Sequence, residues 1–341
     1  MGMENLSSAK SLIHSEYPAI PDSQLENILE GSGLRLIHGG QRSYFFGEKE
    51  LDKALAAAET SVSSSLKEQD LEARRGLVQA EMQDDVLRLR GRGAVDSGTP
   101  QDVLEALRED HLGDVQRLRA ALAGSNAGQG FLARLEAVER RLVQPLTEAN
   151  SVVLASQVRA LETMFPAVSE MLTDVTSADL AAMLAGLGLF VRQFPGWRQL
   201  IVEAQEFTAV DEDTLSRVST ASDIIESEPE YVEAELIVYI EEIKSLATTS
   251  DDEVVKFGYM RSVGNVLRAV GRYLRARLYG SAKVFNDTVD GTLGAGAAFI
   301  VFGSALLAAK SQLIQLAASI PDEFGWLIPL LTALASKIAS G

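Results

Sequence analysis

GTLGAGAAFIVFGSALLAA, residues 291–309, holds no ionisable side chain between Asp290 and Lys310. A helix rises about 1.5 Å per residue and needs roughly twenty apolar residues to cross a hydrocarbon core of about 30 Å, a length this run just reaches. Beyond Lys310 the residues SQLIQLAASI lead into Pro321-Asp322-Glu323, and a second apolar stretch, FGWLIPLLTALAS at 324–336, precedes Lys337. The pattern predicts a helical hairpin with Asp322 and Glu323 at its loop and Trp326 at a membrane interface, where the amphipathic indole is favoured. The side chains expected to insert are Phe299, Ile300, Val301, Phe302, Leu306 and Leu307 on the first arm. On the second they are Trp326, Leu327, Ile328, Leu330 and Leu331. That arm is short and contains Pro329, so it spans only a thinned bilayer or dips in and returns.

Upstream the charge reverses abruptly. Residues 203–253 carry sixteen acids against Arg217 and Lys244, a balance of −14. Residues 256–283 then carry Lys256, Arg261, Arg268, Arg272, Arg275, Arg277 and Lys283 with no acid, a balance of +7. On a helix over 259–278, Arg261, Arg268, Arg272 and Arg275 fall within about 60° of one another at 100° per residue. Val263, Val266, Leu267, Val270, Tyr273, Leu274 and Leu278 occupy the opposite arc. A cationic stripe opposite an apolar face suits the headgroup region of an anionic bilayer, at roughly 1 kcal/mol per basic residue. Arg261, Arg268, Arg272, Arg275, Arg277 and Lys283 are therefore the expected membrane-surface contacts. The preceding acids suggest a latch, in which Glu233, Glu235, Glu241 and Glu242 neutralise the arginines in a resting form.

Composition narrows the remaining choices. The whole chain of 341 residues has a net charge of −17, which disfavours generic nucleic-acid binding. It has no cysteine, so disulfides, thiolate catalysis and cysteine-bound zinc are excluded. His14, His38 and His111 lie on different expected elements, without a second ligand at helical spacing. No glycine-rich loop is followed by the lysine that cradles phosphate, and no Gly-x-Ser-x-Gly elbow occurs. Neither an enzyme nor a cofactor or metal site is expected. The amino terminus lacks a basic region followed by an apolar run, the mark of a secretory signal, so a cytoplasmic body is expected.

The first fifty residues suggest two short helices, then a hairpin across Leu34–Phe46 with Gly39-Gly40 as its two-residue turn. Helix, helix, hairpin resembles a winged helix in topology, but seven acids against four bases in residues 1–50 favour a small protein-docking module at 1–47 over a DNA reader. Residues 48–90 have good helix formers and only Gly76 among breakers, which predicts one or two long helices. Gly91 to Pro100 is a break, Thr99-Pro100 opens a helix near 101–122, and 124–130 breaks again. Helix is expected over 131–174, with kinks or joints permitted at Pro145 and Pro166. Ser177-Ala178-Asp179 is read as a cap for an apolar helix at 180–191, too short to span and hence interior. Pro229 is read as the first position of a helix over 229–247.

The expected architecture is all-α: an elongated multi-helix bundle with a small N-terminal helix and β-hairpin module and a C-terminal hydrophobic hairpin. Its segments are 1–47, 48–130, 131–255 and 256–341. The expected function is a non-enzymatic, oligomerising membrane effector whose hairpin inserts into and permeabilises an anionic bilayer. In layout its last ninety residues are similar to helical pore-forming toxins, which hide an apolar hairpin in a soluble bundle. The alternatives are a membrane-anchored scaffold that recruits partner proteins and a wholly soluble helical interaction protein.

Overall fold

Proline breaks and hydroxyl or carboxylate caps set most element boundaries in the computed structural model, which describes residues 35–37, 43–45, 71–207, 210–279 and 297–340. Among these residues the fold is all-α, with twelve helices and two short antiparallel hairpins. Contacts divide the chain into two units, one of 73–270 and one of 1–72 with 271–341.

The 73–270 unit has a β-hairpin near its start. Residues 80–89 are strands where helix was expected: β1 (Arg35–Ile37) and β2 (Ser43–Phe45) of the other unit are followed here by β3 (Ala80–Gln83) and β4 (Val86–Leu89). Asp84 and Asp85 form the turn at φ 51° and 60°. Two successive positive φ values are the signature of the type I′ turn, which matches the twist of a two-residue hairpin and tolerates aspartate. Leu87 and Leu89 are buried. Leu87 also bonds residues 231–233 across a parallel bridge, through Leu87 N–H to Tyr231 O (2.8 Å) and Glu233 N–H to Leu87 O (2.9 Å). Pro229 accordingly does not open a helix: it lies in a turn, residues 231–233 bridge to Leu87, and the helix starts only at Ala234.

Four helices follow: α1 (Gln101–Leu122), α2 (Gln129–Val143), α3 (Glu148–Ser169) and α4 (Asp174–Val191). Each packs on the next and α4 returns to α1, closing a ring. Pro145 separates α2 from α3, as expected, whereas Pro166 is absorbed in the last turns of α3. Thr147 caps α3, its hydroxyl accepting the Asn150 N–H at 3.1 Å. Helix α4 begins earlier than expected, because Thr173 accepts the Thr176 N–H at 3.3 Å and Ser177 is already inside the helix. Such caps are each worth about 1 kcal/mol. Pro195 opens α5 (Pro195–Gln205), Asp211 caps α6 (Glu212–Glu226), and α7 (Ala234–Thr249) and α8 (Glu253–Tyr279) complete the series.

In the second unit β1 pairs with β2 in the register Ile37↔Ser43, and the expected turn at Gly39-Gly40 lies outside the described residues. The remainder of the expected docking module at 1–47 lies outside the described residues, as does all of 48–70. The C-terminal helices are α9 (Ala297–Ala308), α10 (Lys310–Ser319), the single turn α11 (Pro321–Phe324) and α12 (Leu327–Ser340). Helices α9 and α10 are bent by 69° at Ala309.

Candidate functional site

Burial decides how far the expected membrane elements are presented. The run at 291–309 is not one straight span: residues 291–296 lie outside the described residues, and the rest is a 12-residue helix that turns sharply into α10. Helix α9 has no charged side chain. Phe302 and Leu306 are buried, Phe299, Val301 and Leu307 are half-buried, and Ile300 is 64% exposed. On α12, Leu327, Leu330 and Leu331 are buried and Ile328 is half-buried. Pro329 sits in the first turn, where its missing N–H costs nothing.

Trp326 is not at a solvent boundary. Its side chain is buried and its Nε1–H donates to Glu323 O at 2.9 Å. A Cβ on Gly271 of α8 would meet Trp326 Cζ3 at 2.8 Å and Leu71 Cδ2 at 3.2 Å, so the absent side chain makes room for the indole. Glu323, expected in an open loop, is buried as well, while Asp322 is exposed.

The arginine stripe requires a correction. Residues 262–271 of α8 are buried all round, and Arg268 has no exposed surface. The reason is a second layer that helix periodicity cannot reveal. The segment 74–78 lies along α8, with Asn265 accepting the Arg74 N–H at 2.7 Å and donating to Arg74 O (2.6 Å) and Val78 O (3.2 Å). Ser262 Oγ accepts the Val78 N–H at 2.8 Å. Arg261 is largely buried, paired with Glu203 at 3.6 Å and stacked over Phe257. Arg272, Arg275 and Arg277 are half-buried, the last stacked over Tyr273, and Lys283 lies outside the described residues.

The proposed latch acids have other partners. Glu233 and Glu235 both hold Arg92, at 2.5 and 2.9 Å, and Glu233 also accepts the Leu89 N–H at 3.1 Å. Burial pushes the Glu233 carboxyl up, yet those bonds outweigh it and hold the group below the usual range. Glu241 is exposed. Glu242 belongs to a network: it pairs with Arg141, accepts Gln157 Nε2–H at 2.7 Å, and Gln157 in turn accepts from Arg134 at 3.2 Å. Arg141 is buried, and its guanidinium lies 3.9 Å from the Tyr239 ring centroid. This chain of charge-assisted bonds ties α2, α3 and α7 together. Glu203 of the −14 segment stands against the stripe at Arg261, and its place on the neighbouring α5 was not legible from spacing.

Helix α4 was expected in the interior and is only half so. Leu180, Met183, Leu184, Leu187, Phe190 and Val191 face inward, whereas Val175 and Leu189 are 73% and 66% exposed. It is long and apolar enough to cross a membrane, as buried core helices of soluble proteins also are. Two glycines admit ionisable groups against it. A Cβ on Gly186 would lie 3.1 Å from His111 Cε1, and one on Gly188 would lie 2.5 Å from Glu162 Oε1. Burial lowers the His111 pKa despite Asp114 and Asp110 nearby. Burial raises that of Glu162 against the opposing pull of Arg159 and Arg192.

Among the described residues no group of three or more His, Asp or Glu is placed to hold a metal. No known protein family, curated protein or solved structure matches this chain.

Proposed function

We propose that the chain is a non-enzymatic membrane effector held here in a resting form, and that its lipid-seeking element is the pair α9 and α10. One observation carries this reading: the two helices together are long and apolar enough to cross a bilayer if the 69° bend opens, and α9 already leaves Ile300 to solvent. An anionic surface repels a body of net charge −17, so approach depends on a local apolar or cationic element. Lifting α12 and Trp326 away from Gly271 is the step that frees α9 and α10. The burial of Leu327, Leu330, Leu331 and Leu334 at 0% exposure favours a second reading, a soluble helical interaction protein for which these residues are permanent core.

Vesicle flotation and dye release with phosphatidylserine-containing liposomes separate the two. The full chain is expected to float and to release dye, and Gly271→Leu, which fills the Trp326 seat, is expected to do both at lower protein concentration. If neither the wild type nor this variant floats while both remain helical, the soluble reading replaces the proposal.

A further inference from the structure

We infer that the open face of α4 is a homodimer seam, on which a second copy of the same helix packs antiparallel. Apart from Asp174 and Asp179, the residues that α4 leaves outside are Val175, Ala178, Ala182, Ala185 and Leu189, spaced by three and four, the a and d pattern of a two-helix seam. Val175 and Leu189 are two of the eight large apolar side chains that stand exposed among the described residues. Helix spacing explains why composition alone missed it: the helix is apolar all round, and only the positions of α1 and α3 show which side remains uncovered.

The direction follows from charge and size. A two-fold axis level with the midpoint between Ala182 and Ala185 sets Ala182 against Ala185 of the second copy, and Ala178 against its Leu189. The small residues at the crossing allow close approach, and the larger ones fill the ends. The same axis sets Asp174 within one residue of the height of Arg192 in the second copy, twice over by symmetry. Both are exposed, and neither makes an ion pair among the described residues. A parallel pair instead places Asp174 beside Asp174 and Arg192 beside Arg192. An anionic bilayer is a poorer occupant, because Glu170, Asp174 and Asp179 stand at the same end of this face. A seam of 18 residues, about 27 Å long at 1.5 Å per residue, is small for a permanent interface, so the dimer is of the weak, concentration-dependent kind.

The absence of cysteine makes the test direct. Full-length Ala178→Cys and Leu189→Cys chains, mixed and oxidised at a concentration where sedimentation shows dimer, are expected to cross-link with each other while neither does so alone. Leu189→Glu, at an exposed position, is expected to weaken dimerisation about tenfold or more with unchanged circular dichroism. Cross-linking of Ala178→Cys with itself overturns the antiparallel arrangement. A chain that stays monomeric throughout, with an environment-sensitive dye at residue 178 responding only to vesicles, overturns the dimer and assigns the face to lipid. This inference stands on α4 alone and survives failure of the flotation experiment.

Discussion

Replacing Asn265 with alanine tests why the basic helix is covered. Its amide makes three bonds to the segment 74–78, at 2.7, 2.6 and 3.2 Å, and the side chain has no exposed surface. At about 1 kcal/mol net for each bond the loss is about 3 kcal/mol, and the fully buried Val78 carbonyl, left unpaired, adds a further fraction. The expected cost is therefore about 3–4 kcal/mol. The chain has two tryptophans, and Trp197, itself 2% exposed, lies in the 73–270 unit while Trp326 lies in the other. In a Trp326→Phe background, urea unfolding followed by Trp197 emission reports on that unit alone. With a slope of about 2–3 kcal/mol/M the midpoint moves down by about 1–2 M. Asn265→Asp keeps the bond from Arg74 N–H but turns a carboxylate toward two carbonyls, and is expected to cost at least as much. A shift equivalent to less than 1 kcal/mol in both variants refutes the idea that these bonds hold 74–78 on α8.

The remaining expectations concern the ionisable groups of the helix body. Glu242→Gln is expected to destabilise by about 3 kcal/mol, because it strands the buried Arg141 charge, whereas Arg141→Met with Glu242→Leu together costs less than either change alone; urea midpoints of these four variants decide this. His111, lowered by burial, binds a proton more readily unfolded, so its contribution to stability is lost as pH falls from 6.5 to the folded value. Glu162, raised by burial, works in the opposite sense, costing stability at neutral pH and relieving that cost on acidification. Melting temperatures from pH 8 to pH 5 are thus expected to fall less in His111→Phe than in the wild type, and Glu162→Gln is expected to melt higher at pH 8.

What sequence alone makes legible here follows the range of the physics. Pro100 before α1 and Pro145 between α2 and α3 act within a few residues, and the reading of them agrees with the structure. The all-α class follows from the same local signals. The hairpin at 80–89 was hidden because Asp84-Asp85 reads as a solvated acid pair unless its positive φ values are known. Arg268 was misplaced for another reason: a wheel arranges one helix against solvent, and it carries no information about a segment nearly 190 residues earlier that hydrogen-bonds across it. The C-terminal apolar residues were recognised as apolar, but their spacing does not distinguish lipid from Gly271 and Leu71 as the material that covers them.

The pairing of Leu87 with Tyr231 and of Leu89 with Glu233 joins positions 144 residues apart. During synthesis the outer edge of β4 therefore has no native partner until all of α1 through α6 has emerged. An unpaired strand edge is a template for other chains, and closing so long a loop is slow. The nascent protein thus exposes this edge while six helices are still to be made, and a factor that shields residues 86–89 during translation is expected to raise the yield of folded chains.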